Sequence, residues 1–299
     1  MAGTLTDAVE AVLAQELSAP LASGLYLVST PIGNLADITL RALAVLARAD
    51  HVYCEDTRHT QKLTGRYNLS TRLSAYHDHN AARERPKILK MLADGASVAL
   101  VSDAGTPLVS DPGYKLVREA AEQGSSVFSI PGPSAVLAGL ASSGLPTDNF
   151  FFAGFLPPRE AASARRLDEL AQIPATLVLF ETATRLDRTL AALGEKYPGR
   201  ELVIARELTK RFEEIIRTKL PVSGQPEGPW KGEFVLLLGP PVEEAADDER
   251  VAEAVREALK TATLRDAVEN VRRTLRVPRK QVYELALQHQ RDKQPDHDD

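Results

Sequence analysis

Three strings of prolines, glycines and small polar residues in this 299-residue chain have the composition needed to hold a ligand through the main chain. The first is Ser29-Thr30-Pro31-Ile32-Gly33-Asn34-Leu35-Ala36-Asp37. The second is Ser102-Asp103-Ala104-Gly105-Thr106-Pro107, running on through Leu108-Val109-Ser110-Asp111-Pro112-Gly113, and the third is Ile130-Pro131-Gly132-Pro133-Ser134-Ala135. Small residues between prolines leave N–H and C=O groups open to close approach. Pro133 beside Ser134 marks a helix start whose free N–H groups can take a carboxylate or a hydroxyl. As bare composition, a double turn and a helix cap account for the second and third strings as well as a ligand does. The first string has one glycine where a dinucleotide fingerprint needs three, and no glycine precedes Lys-Ser or Lys-Thr in the frame of a P-loop, so both phosphate cradles are disfavoured. His77-Asp78-His79 has a spacing that zinc accepts, but with no Cys or third His nearby a polar loop is the better reading. Asp103 and Asp111 share a loop as Mg²⁺ ligands do, without a phosphate-transfer motif beside them, so no metal is expected.

The elements that must position these strings follow from periodicity. Residues 25–29 are a short apolar run that reads as a strand, and from Thr39 the positions Leu40, Leu43, Ala44, Leu46 and Ala47 have helical spacing. A second strand over 51–54 completes a βαβ unit, which implies a parallel sheet. The alternation continues with a helix at 82–93, a strand at 97–101, a helix at 115–123, a strand at 127–130 and a helix opening at Pro133-Ser134. All three strings thus fall at carboxyl ends of parallel strands, where open α/β sheets place their ligands. The second half reads as strands at 149–155, 176–180, 202–205, 212–218 and 233–238, with helices at 159–171 and 185–193. Residues 221–229 form a Pro/Gly-rich excursion, and 240–248 an acidic linker. Three helical patterns follow at 251–260, 264–275 and 279–287, the last two joined by Arg276-Val277-Pro278 in the manner of a helix-turn-helix. The expected divisions are a mobile N-terminal arm with a short amphipathic helix (1–23), an N-terminal α/β domain (24–145), a C-terminal α/β domain (146–240) and the linker with its helical tail (241–299).

Hydrophobic residues at 43% and charged residues at 26% describe an ordinary globular chain. No apolar run approaches the roughly 18 residues that cross a bilayer, and no basic-then-apolar order marks a signal peptide. The single cysteine, Cys54, has no intramolecular partner, and a reducing, cytoplasmic location is expected. A formal net charge of −5 confines any polyanion site to a local patch. Candidate patches lie around Arg58, Lys62 and Arg66, around Arg206, Lys210 and Arg211, and along the tail from Arg265 to Arg291; solvated helix faces are the plainer account of each.

Taken together, TPIGNLADITLRAL, EDTRHTQKL, SDAGTPLVSDPGYKLV, IPGPSAVLAGLASSGLPTDNFFFAGFLP, FETATRL and ARELTKRFEE resemble, in this order, the ribosomal RNA small-subunit methyltransferase I family, a branch of the tetrapyrrole methylases. The resemblance runs from about residue 24 to 239 and is looser in the tail. It implies an α/β fold of two αβα domains of the tetrapyrrole methylase type, S-adenosyl-L-methionine in the cleft between them, and a small helix-turn-helix-like C-terminal module. It also implies a homodimer that methylates the ribose 2′-hydroxyl of a cytidine in 16S ribosomal RNA of the small subunit. By motif matching, Pro31, Ile32 and Gly33 line the cofactor from the first loop. Asp103, Ala104, Gly105, Thr106, Val109 and Ser110 do so from the next, and Ser134 and Ala135 from the last. Glu181, Glu207 and Leu208 close over it from the second domain. Where the wider superfamily has a glycine-rich first loop ending in Asp, Thr30-Pro31-Ile32-Gly33-Asn34 fits the RNA branch better.

Methyl transfer to a hydroxyl needs alignment and removal of one proton, while the cofactor brings the activated group. Candidate proton acceptors in the motif loops are Asp37, Asp56, Asp103, Glu181, Glu207 and Lys210, and an ion pair or helix cap is the alternative role of each. Arg58, Lys62, Arg185, Arg206 and Lys210 are candidate RNA ligands that would position phosphates, while splayed bases would carry sequence choice. Two rivals stand beside this reading: a methyltransferase of a tetrapyrrole or other small molecule on the same fold, and a non-catalytic RNA-binding or assembly protein.

Overall fold

The computed structural model describes residues 3–223, 230–241, 248–275 and 277–292. Residues 224–229 of the expected excursion, 242–247 of the acidic linker and Arg276 of the tail's turn lie outside the described residues. The first sheet contains β1 (Gly24–Val28), β2 (His51–Cys54), β3 (Leu73–Ala75), β4 (Ser97–Val101) and β5 (Val127–Ile130), in the order β3-β2-β4-β1-β5 with every pairing parallel. Val28 stands opposite both Val101 and Ile130, so the three ligand strings leave the sheet level with one another.

The strand period of two assigns the faces of this sheet. Tyr26, Val28, Ala99 and Val101 pack with α2 (Leu40–Arg48) and α3 (Thr57–Arg66), whereas Leu25, Val98 and Leu100 pack with α4 (Ala81–Ala93) and α5 (Tyr114–Glu122). Each leucine buried in this way contributes about 2 kcal/mol. Capping sets where the helices start: Thr39 Oγ1 accepts from Ala42 N at 3.1 Å, and Asp56 Oδ1 from Arg58 N at 2.9 Å. The N-terminal segment, where an arm with a short amphipathic helix is expected, contains the helix α1 (Leu5–Ser18), opened by a Thr4–Asp7 capping box. Leu13 and Leu21 rest on the α2 layer, and Arg48 donates to the carbonyls of Glu16 and Ala19.

The second sheet contains β6 (Phe150–Phe155), β7 (Thr176–Thr182), β8 (Glu201–Arg206), β9 (Glu214–Lys219) and β10 (Glu233–Leu238). Its order is β6-β7-β10-β8-β9, parallel at β6–β7 and antiparallel elsewhere. Helices α7 (Glu160–Ala171) and α8 (Leu186–Lys196) cover one face against Leu177, Leu179, Ile204 and Leu236. The other face is covered by α6 (Ala135–Ser143), whose Val136 and Leu140 meet Val178, Val203, Val235 and Leu237. Helix α6 thus springs from β5 of the first sheet but is buried against the second, although it precedes the expected division at residue 145. Arg217 of β9 donates to Ser143 O at 2.9 Å and holds its far end.

Both sheets are αβα layers, as expected. Helix α3 and strand β3 were not read from the sequence, and β9 starts at Glu214, which leaves Phe212 in the preceding loop. Val242–Asp299 is a compact unit of its own, with α9 (Asp248–Ala258), α10 (Leu264–Leu275) and α11 (Arg279–Asp292) around Val251, Val255, Val268, Val271 and Val282.

Candidate active site

Hydrogen bonds join the three loops of the first sheet. Thr30 N donates to Gly105 O at 2.9 Å and Gly105 N to Thr30 O at 3.0 Å, an antiparallel bridge added beyond the parallel ladder. Thr30 Oγ1 donates to Ser102 O at 3.2 Å, and Ser29 Oγ lies 3.1 Å from Thr106 Oγ1. At the third loop, Ser134 Oγ caps α6 by accepting from Leu137 N at 3.4 Å. Leu108 and Ser110 hold positive φ angles of 74° and 65°, each at a cost of about 1–3 kcal/mol that the surrounding bonds must offset.

The second sheet contributes the loop after β8. Here too two non-glycine residues sit at positive φ, Glu207 (49°) and Thr209 (65°). Lys210 Nζ donates to Glu207 Oε1 at 2.8 Å and to Glu233 Oε2 at 2.6 Å, and Glu233 N donates to the same Glu207 oxygen at 3.0 Å. Two glycines make room for this pair: a Cβ at Gly33 would fall 2.4 Å from Lys210 Cγ, and one at Gly232 2.4 Å from Glu207 Oε1. Asn34 N donates to Thr209 Oγ1 at 3.2 Å and ties the first loop to the loop of the other sheet. Burial opposes charge on both partners, yet the hydrogen bonds prevail. Those from Lys210 and Glu233 N hold the Glu207 carboxyl below the usual carboxylate range, and those to Glu207 and Glu233 hold the Lys210 ammonium above its usual value.

Between the sheets these loops enclose a cavity of about 280 Å³. Of the residues expected at the cofactor, Ile32, Asp103, Ala104, Gly105, Thr106, Val109, Ser110, Ser134, Ala135, Glu181, Glu207 and Leu208 line it. Pro31 and Gly33 do not; they line a second hollow of about 570 Å³. Ile32, Asp103, Ala104, Lys210 and Glu233 border both. Phe155, Phe180, Phe234 and Val235 of the second sheet, unread in the sequence, form an apolar wall of the cavity. Asp111 lines it as well: burial, then the charge of Glu55, lifts its carboxyl to about 6, with Asp103 adding to the effect. A ligand with an apolar ring, hydrogen-bonding groups and a positive charge matches these walls, and S-adenosylmethionine has all three.

The remaining expected residues divide clearly. Asp37 and Asp56 border neither hollow. Asp56 caps α3 and pairs with Arg58 Nη2 at 2.8 Å; the hydrogen bonds from Arg58 bring its carboxyl down to about 2. The buried Glu181 carboxylate, at the cavity wall, accepts from Thr189 Oγ1 at 2.5 Å and Thr182 N at 2.8 Å. Arg185, an expected RNA ligand, donates through Nη2 to Leu156 O at 2.7 Å, and its Nε lies 3.4 Å from Glu181. Arg206, another, is part-exposed, donates through Nε to Lys231 O at 3.0 Å and pairs with Glu214 at 3.5 Å. Arg58 remains open, its side chain 88% exposed, and Lys62 lines the second hollow. His77 and His79 have ring centroids 5.9 Å apart. Among the described residues no group of three or more His, Cys, Asp or Glu is placed to hold a metal ion.

Residues 24–222, which carry the three loops of the first sheet and the loop after β8, match the family Tetrapyrrole (Corrin/Porphyrin) Methylases. Solved structures agree at the level of fold. The methyltransferase CobJ superposes with a TM-score of 0.56 at 22% identity over 73% of this chain and 94% of that one. Diphthine synthase superposes with a TM-score of 0.55 at 18% identity over 72% and 89%. Curated relatives are nearer. The chain is 52% identical over 240 residues to "Ribosomal RNA small subunit methyltransferase I" of Mesorhizobium japonicum, covering 78% of this chain and 81% of the relative. It is 49% identical over 272 residues to the protein of the same name from Erythrobacter litoralis, covering 90% and 96%. The chain belongs to the tetrapyrrole methylase family and, within it, to the ribosomal RNA small subunit methyltransferase I family.

Proposed function

We propose that the protein transfers a methyl group from S-adenosylmethionine to the 2′-hydroxyl of a cytidine in small-subunit ribosomal RNA. The observation that carries the reading is the cavity itself, whose lining loops from Ile32 to Lys210 lie inside the family match over residues 24–222, in a chain similar to relatives named for ribosomal RNA methylation. When bound, S-adenosylmethionine supplies a methyl already activated on sulfur. The chain's part is to hold and orient. The Gly105 amide and carbonyl are taken up by the bridge to Thr30, so the amides of Ala104 and Thr106 and those at the capped start of α6 are the N–H groups for a ligand, while Phe155, Phe180 and Leu208 offer an apolar surface for a purine ring. Asp111 offers a carboxylate to a cation. Outside the cavity, Arg58 and Lys62 on α3 suit phosphate contact.

Cytoplasmic location and a homodimer belong to the same reading. Among the described residues no helix is long and apolar enough to cross a membrane. The direct experiment incubates the purified chain with S-adenosylmethionine and small-subunit ribosomal RNA and digests the product with alkali. One alkali-resistant dinucleotide, carrying a methylated ribose, is the expected result. A methylated base, or methyl transfer to a tetrapyrrole with none to RNA, would overturn the acceptor. Sedimentation of the same sample at twice the monomer mass is expected for the dimer.

A further inference from the structure

The second hollow shares a wall with the cavity that takes the cofactor in the reading above. We propose that it is the acceptor-nucleotide pocket and that Asp103, on the shared wall, takes the hydroxyl proton; this rests on the RNA-methylating reading above. One side of the hollow comes from α3, with His59, Lys62 and Leu63, and the other from the first loop, with Gly33 and Leu35. That mixture suits one unstacked nucleotide: apolar side chains for a base, and a cation at hand for its phosphate. A nucleotide splayed out of a single-stranded segment would bring its ribose up to the shared wall.

The reacting hydroxyl must reach the methyl group, so its proton acceptor has to stand where the two hollows meet. Asp37 and Asp56 border neither, Glu181 and Glu207 border only the cofactor cavity, and His59 borders only the second hollow. Of the ionisable groups on the shared wall, Lys210 is held charged between two carboxylates, and Glu233 is one of those two. Asp103 remains. Its Oδ1 accepts from Asp56 N at 3.0 Å, which orients the carboxylate, and among the described residues it is in no ion pair. In the transfer the O2′ proton passes to Asp103, O2′ bonds to the methyl carbon, and the carbon–sulfur bond breaks to leave the neutral thioether S-adenosylhomocysteine. The carboxylate's negative charge and the sulfonium's positive charge vanish together.

Two variants of the full chain test the pair of claims, each read by cofactor affinity (calorimetry), RNA affinity (fluorescence anisotropy) and single-turnover transfer to small-subunit ribosomal RNA. His59→Trp fills the hollow from an exposed helix position. It is expected to lower transfer at least tenfold with cofactor affinity within twofold, and Leu35→Trp fills it from the opposite side should the first variant fold poorly. Asp103→Asn keeps the bond from Asp56 N. It is expected to keep both affinities within about threefold and to slow transfer by about 100-fold or more, the range of a lost general base. Wild-type transfer by both tryptophan variants would overturn the pocket. Full-rate Asp103→Asn would overturn the proton acceptor, and so would loss of cofactor affinity, which would make Asp103 a ligand instead. If the wild type labels no ribose, the reading of function has failed; if it does and the filled variants match it, only the pocket has.

Discussion

The first sheet meets the cavity through loops of small residues set at the level ends of parallel strands, with Asp103 and Asp111 their charged side chains; the second meets it with larger side chains, Phe180, Glu207, Lys210 and Glu233 among them. Recognition through backbone depends on φ angles that only certain residues tolerate. Recognition through side chains depends on neighbours brought together by pairing between distant strands. A single substitution should therefore act differently on the two sides.

The largest effect is expected at Gly105, which holds φ at 81° in the bridge to Thr30. Gly105→Val pays the left-handed penalty of roughly 1–2 kcal/mol, plus that of a branched side chain against Ile32. Affinity for S-adenosylmethionine should fall more than tenfold by calorimetry, and unchanged affinity would break the claim that the first sheet acts through its backbone. Next comes Asp111. With its folded carboxyl near 6, above the unfolded value of about 3.9, its ionisation works against the unliganded fold as pH rises through 6. A cationic ligand reverses this by favouring the ionised form. Affinity should rise with pH through about 6, and at pH 5 should be up to about tenfold weaker than at pH 8. Asp111→Asn should flatten the profile, and a flat wild-type profile would place the cation elsewhere.

On the second sheet, Lys210→Met leaves Glu207 and Glu233 facing each other without their cation. These side chains are partly screened by solvent, so a stability loss of about 1 kcal/mol in urea unfolding is expected. No loss would mean that the pair is incidental to the loop. The smallest effect belongs to Arg58→Ala, which should weaken RNA binding a few-fold with cofactor affinity unchanged. Arg206→Ala, by contrast, should lower the melting temperature more than it changes RNA affinity, since its guanidinium already serves Lys231 O and Glu214.

This division also accounts for what could be read in advance. The parallel alternation placed three loops at one edge, and most of the residues expected from those loops line one cavity. Helix α3 escaped notice because TRHTQKLTGR buries only Thr60, Leu63 and Thr64, which is too polar a stripe to stand out from a loop. Phe180 and Glu233 escaped because their partners across the cavity are set by the order β7-β10-β8, a non-local property. Composition counts the guanidinium groups of Arg185 and Arg206 without showing that each donates to a carbonyl of the chain itself.

Helix α6 connects the layers in a particular way: it is covalently continuous with one and buried against the other. If the layers breathe as a hinge, its start at Ser134 is the expected pivot, and the bond from Asn34 to Thr209 between a loop of each sheet is expected to open first. Hydrogen exchange should then be fast at the Asn34 amide and slow in the body of α6; equal rates would mean that the layers part as a whole instead of swinging.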